Sequence, residues 1–162
     1  MCHTVSRYGA MWGFTGERGC HMARLISRFL LTIDDKGRLV LPAAHRGRYE
    51  EGAILSPKTD HIAIYEPSEW DRFVEQLKEH RLANEIARED FNWITMNAAD
   101  PRPDSAGRIL IPSWMRDQMG LDREVMIGGA HEYLGIYKAD YVTTIDPSVA
   151  TRAAARVDQL GL

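Results

Sequence analysis

The sequence predicts an α+β fold, mostly β, built on an internal duplication with helices around it. The first observation is the segment Asp34-Asp35-Lys36-Gly37-Arg38-Leu39-Val40-Leu41-Pro42-Ala43-Ala44-His45-Arg46, which returns as Asp104-Ser105-Ala106-Gly107-Arg108-Ile109-Leu110-Ile111-Pro112-Ser113-Trp114-Met115-Arg116. Asp, Gly, Arg, Pro and Arg keep their places, with three aliphatic residues between the first Arg and the Pro each time. The second is Asp60-His61-Ile62-Ala63-Ile64-Tyr65, answered by Glu132-Tyr133-Leu134-Gly135-Ile136-Tyr137, the second copy having gained two residues in between. Matched blocks in the same order mark a repeated supersecondary unit. The third is composition: 162 residues, 44% hydrophobic and 27% charged, can bury a real core.

Within each copy the elements follow in the same order. Asp-x-x-Gly-Arg is a turn, in which Asp34 or Asp104 accepts from its own loop amides and Gly37 or Gly107 supplies a positive φ. Leu39–Leu41 and Ile109–Ile111 are short apolar runs suited to buried strands. Pro42 and Pro112 end them and suit the first turn of a short helix, with Gly52 and Gly120 as stops. Two strands follow in each copy, Ala53–Leu55 with Ile62–Tyr65, and Val125–Ile127 with Leu134–Tyr137. After the first copy, Ser68 and Asp71 form a capping-box-like helix start, and Trp70, Phe73, Val74 and Leu77 mark one buried face. A second helix is expected over Leu82–Trp93. Asp146-Pro147 opens a last one, running from Ala150 to Leu160 and stopping at Gly161.

The expected organisation is therefore a first copy with its helices over 24–93, a second copy over 94–145, and a C-terminal helix or tail over 146–162. Residues 1–23 read as a disordered extension or a mis-called start, with Met22 as an alternative beginning. No run reaches the length of a membrane span, and Leu25–Ile33 is broken by Ser27, Arg28 and Thr32. Cytoplasm is the expected compartment. Both cysteines, Cys2 and Cys20, lie before the duplicated body, which is left without a disulfide framework or a cysteine nucleophile. Cys2-His3 with Cys20-His21 offers four zinc donors, but at a spacing that fits no motif, and no metal or other cofactor is expected.

Charge narrows the function. Twenty Lys and Arg against 23 Asp and Glu give −3, which excludes a bulk polyanion binder of the histone kind. Locally, however, Lys36, Arg38, Arg46 and Arg48 outnumber Asp34 and Asp35, and in the second copy Arg102, Arg108 and Arg116 face Asp100 and Asp104. The duplicated Asp-x-x-Gly-Arg segments resemble MraZ, a bacterial family of two tandem SpoVT/AbrB-like domains, each with an Asp-x-x-x-Arg motif. The likeness covers roughly residues 24 to 145. It implies swapped-hairpin barrel halves forming one pseudo-two-fold unit. It implies a transcriptional regulator of the division and cell-wall gene cluster, found in cytoplasm and nucleoid, that binds direct repeats in its own promoter as a ring.

The residues can carry that chemistry. Arg38 and Arg108 offer forks for guanine or phosphate, and Lys36 a point contact for phosphate. Arg46 and Arg116, one turn into their helices, and Arg48 complete the candidate DNA contacts. Arg46 and Arg116 serve equally as bridges to a neighbouring subunit. Asp34, Gly37, Asp104 and Gly107 are expected to make the turn, since a carboxylate facing phosphate is repelled. The competing structural reading is that Arg38 and Arg108 only pin their own aspartates. Few cations per protomer mean weak binding at physiological salt, which several copies on one face would overcome. A ring on promoter DNA favours repression. No small-molecule substrate is expected, and no catalytic residue: aspartic proteases need Gly two places after Asp, whereas here it comes three places after, followed by Arg. The alternative is a protein-interaction, antitoxin-like module with weak DNA binding, using the helix that starts near Ser68.

Overall fold

The computed structural model describes residues 25, 27–141 and 147–161. Among the described residues, seven strands run in order: β1 (Arg28–Thr32), β2 (Arg38–Val40), β3 (Ile54–Pro57), β4 (Ile62–Tyr65), β5 (Arg108–Leu110), β6 (Glu124–Gly129) and β7 (Leu134–Lys138). A 3-10 turn, Arg46–Tyr49, follows β2. Helices α1 (Pro67–Leu82) and α2 (Arg88–Met96) follow β4, α3 (Ser113–Met119) follows β5, and α4 (Ser148–Gln159) comes last. The molecule is α+β, with a five-stranded antiparallel sheet ordered β1-β6-β7-β4-β3 and a two-stranded ribbon of β2 and β5.

Repeat-equivalent residues pair with each other. In the ribbon Leu39 stands opposite Ile109, and in the large sheet Ala63 stands opposite Gly135. Both are the pairs that align when the two copies are superposed in sequence, so a local two-fold relation runs through both sheets. The ribbon closes symmetrically: the Leu41 amide donates to the Gly107 carbonyl and the Ile111 amide to the Gly37 carbonyl, each at 2.9 Å. Leu39 and Ile109 point inward and are fully buried, joining Leu41, Ile111, Ile62, Ile64, Leu134 and Ile136 in one core. Each such side chain contributes roughly 1.5–3 kcal/mol on leaving water.

The symmetry fails in two places, for reasons visible in the sequence. β1 pairs with β6 over five residues, but its counterpart in the second copy shrinks to a single bridge, Ala99 with Leu55. Pro101 and Pro103, which lack amide donors, follow at once and stop that strand. The second copy forms a regular α3 ending on left-handed Gly120 (φ +57°), where the first copy has only the 3-10 turn. Gly47, a poor helix former, occupies the place of Asp117.

Several boundaries differ from the sequence expectation. β1 is an element that the pattern does not announce; it shows period-two burial, with Phe29 and Leu31 half-buried and Arg28, Leu30 and Thr32 outward. α1 starts at Pro67, not at a Ser68–Asp71 box. Its N-cap is Glu66, which makes no side-chain cap, and Pro67 at the first helical position supplies the entry conformation. Leu82 closes α1 and does not open α2, because Asn84 turns left-handed (φ +60°) and breaks the run. Of the expected buried face of α1, Leu77 is buried and Trp70, Phe73 and Val74 are half-buried. Phe73 stacks on Tyr65, centroids 5.4 Å apart, with Lys58 Nζ 3.8 Å from the Phe73 ring centre. The cysteine–histidine pairs and Asp146 lie outside the described residues.

Candidate nucleic-acid interface

Each Asp-x-x-Gly-Arg segment is an elbow tied by one carboxylate. In the first, the Gly37 amide donates to the Asp34 carbonyl at 2.9 Å, and Asp34 Oδ1 accepts from the amides of Lys36 and Arg38, both at 2.9 Å. Asp34 Oδ2 accepts from Arg38 Nε at 2.8 Å and lies 2.7 Å from Arg38 Nη2. The second elbow repeats this: Gly107 amide to Asp104 carbonyl at 2.8 Å, amides of Ala106 and Arg108 to Oδ1, and Arg108 Nε to Oδ2 at 2.7 Å. The glycines sit at φ +79° and +72°, where other residues are strained.

These ties set the electrostatics. The Arg38 side-chain bond, then the Arg38 amide, pull the Asp34 carboxyl down to about 2. Asp104 is lowered as well, the Arg108 amide contributing most. Both carboxylates are thus held ionised, the reverse of a proton-sharing catalytic pair. The arginines are partnered yet not hidden: the Arg38 and Arg108 side chains are 30% and 36% exposed. A guanidinium has five N–H donors, so gripping one carboxylate oxygen leaves donors for a second acceptor. Lys36 stands exposed on the tip of the first elbow.

Arg46 and Arg116 cross over. Arg46 Nε donates to the Leu41 carbonyl at 2.8 Å and Arg116 Nε to the Ile111 carbonyl at 3.2 Å, each within its own copy. Their side chains then lie on the glycine of the other copy's elbow. A Cβ on Gly37 would fall 2.9 Å from Arg116 Nη2, and one on Gly107 would fall 2.6 Å from Arg46 Cδ. Each elbow is therefore composite, with Lys36, Arg38 and Arg116 at one, Arg108 and Arg46 at the other. Sequence reasoning missed Arg123, whose Nη1 lies 3.4 Å from Asp35 Oδ1 and adds a cation to the first elbow. Its proximity depends on β1 lying beside β6, which the linear pattern did not reveal. Arg48 is placed elsewhere, its Nε 2.6 Å from Glu66 Oε1, with side chains 17% and 10% exposed.

Outward on the ribbon, between the elbows, stand Val40 and Leu110, 38% and 51% exposed. Among the described residues no cluster of His, Cys, Asp or Glu could hold a metal ion, and no helix is long and apolar enough to cross a membrane.

Comparison with known proteins follows this duplicated architecture. A family model described as "MraZ protein, putative antitoxin-like" matches residues 27–91 and again 94–155. The chain is similar to the transcriptional regulator MraZ of Thermomicrobium roseum, 29% identical over 82% of this chain and 99% of the relative. It is 35% identical to that of Kocuria rhizophila, over 66% of this chain and 76% of the relative. The paired repeats and these relatives define a transcriptional regulator. The chain belongs to the MraZ family.

Proposed function

We propose that this chain regulates transcription by gripping duplex DNA with its two elbows, Arg38 and Arg108 reaching base edges or phosphates and Lys36 positioning the first elbow on the backbone. Arg46 and Arg116 add phosphate contacts beside the opposite elbow. Arg48, held on Glu66, serves the fold. The observation that carries this reading is the ribbon itself, whose antiparallel strands hold one arginine-bearing turn at each end of one rigid, symmetric support. The same relation supports two SpoVT/AbrB-like swapped-hairpin halves about a pseudo-two-fold. In this reading the DNA is a set of short direct repeats in the gene's own promoter, within the division and cell-wall cluster. The protein is a ring-forming repressor acting in the cytoplasm on the nucleoid.

The test is a titration of full-length protein and an Arg38→Ala variant against a promoter fragment and a scrambled one, at several salt concentrations. A specific contact costs about 1–3 kcal/mol when removed, and Lys36→Ala should reduce the salt slope by about one. Unchanged binding by a folded Arg38→Ala protein refutes the assignment. The antitoxin-like alternative draws support from the exposed Trp93 and Met96 on α2, 46% and 80% accessible. Binding that survives high salt and ignores DNA favours it.

A further inference from the structure

Two helices of this chain turn apolar side chains to solvent. On α2, Trp93 and Met96 stand exposed one turn apart, one turn after the exposed Glu89, while Phe91, Ile94 and Thr95 are half-buried. Beside Trp93 runs a shallow cleft lined by Pro57, Lys58, Thr59 and Ile94. On α4, Ala153 and Val157, followed by Leu160 at its C-cap, take the i, i+4, i+7 spacing and are also exposed, Val157 at 46% and Leu160 at 61%. No residue of α4 is buried. An amphipathic helix with one apolar stripe laid into a groove is a recurrent mode of recognition.

Charge selects the occupant. From Glu66 to Asn97 the α1–α2 segment carries eight carboxylates against four Lys or Arg side chains. α4 carries Arg152 and Arg156 beside its stripe, against the single Asp158. Glu89 and Asp90 lie in the first turn of α2, one turn before Trp93. α4 is about 18 Å long, enough to span α2.

We propose that α4 of one copy docks on the α2 face of a second copy, Val157 and Leu160 covering Trp93 and Met96, and Arg152 and Arg156 meeting Glu89 and Asp90. The two surfaces differ, so the contact is head-to-tail and passes from copy to copy. This rests on the assembling half of the proposed function and is independent of the elbows.

The experiment uses the full chain with Cys2→Ser and Cys20→Ser. Single-cysteine variants Asn92→Cys and Ala153→Cys, mixed and oxidised, should yield a covalent pair of chains. Arg152→Glu with Arg156→Glu should raise the protein concentration needed for assembly, read by light scattering, at least about tenfold. Glu89→Arg with Asp90→Arg should do the same, and combining both reversals should restore assembly. Circular dichroism checks that helix content is kept. A wild-type chain that stays single, unchanged assembly in both reversed variants, or no covalent pair from the mixture while one chain carrying Asn92→Cys and Ala153→Cys together closes on itself would each overturn the proposal. Reversed variants that assemble as wild type while Arg38→Ala still loses DNA binding would overturn the docking and leave the elbow reading standing on its own.

Discussion

Asp34 closes its turn through Oδ1 and grips Arg38 through Oδ2, so one carboxylate shapes the elbow and aims its arginine. Its folded value of about 2 lies below the ordinary 3.8, so its contribution is fully present above about pH 4 and is lost as pH falls through 2. Thermal melts should show wild type losing stability between pH 4 and pH 2 more steeply than Asp34→Asn, the gap closing at the acid end. A gap constant to pH 2 would mean that turn geometry, and not charge, is what Asp34 supplies. The glycines give a second test. Gly37→Ala meets only the tip of Arg116, whereas Gly107→Ala meets the middle of the Arg46 stem. A left-handed alanine costs about 1–2 kcal/mol at either position, and Gly107→Ala should melt lower. Arg48→Met should lower the melting temperature and spare DNA affinity, because it strands Glu66. The turn was legible from Asp-x-x-Gly-Arg because all its bonds are local. The crossing of Arg46 and Arg116 was not, because each partner lies in the other copy.

Between the elbows, the ribbon separates packing from contact along each three-residue strand. Leu39→Ala and Ile109→Ala remove buried side chains and should each cost about 2–5 kcal/mol in denaturant titration. Val40→Ala and Leu110→Ala, on the outer face, should stay within about 0.5 kcal/mol. Equal losses at all four positions would mean that both faces are covered in solution. β4 is readable because its residues are continuously apolar and buried, and β2, β5 and β7 because each carries a short apolar run, although Val40 and Leu110 in those runs face outward. β1 is not, since Arg28, Leu30 and Thr32 on its open face blur the alternation. The body of α1 is plain from its spacing but its start is not: Ser68 and Asp71 look like a cap, yet Pro67 already holds the entering chain. α2 begins later than its pattern suggests because Asn84 takes a conformation that helical periodicity does not announce.

Across the whole molecule the two copies do not form separate lobes. β1 of the first copy pairs with β6 of the second, β4 with β7, and β2 with β5. A chain cut between Asn97 and Ala98 should give halves that are unfolded alone and fold when mixed, seen as recovered dispersion in amide spectra. A first half that folds unaided would show that its hairpin and helices suffice. That the copies share one body was readable only as duplication; which strands marry was beyond a linear pattern. The match between the copies is also incomplete at the surface. Lys36 stands where the other elbow has Ala106, Asp35 where it has Ser105, and Arg123 attends only the first. A body with twin wings, one of them heavier, has a heading. Laid on a double helix, whose backbone looks alike from either direction, such a body fits the phosphates equally well both ways round, so that only contacts to base edges would fix its heading. Under the proposed function, successive molecules held that way would share one heading, and their operators would be written in one direction and not in inverted pairs.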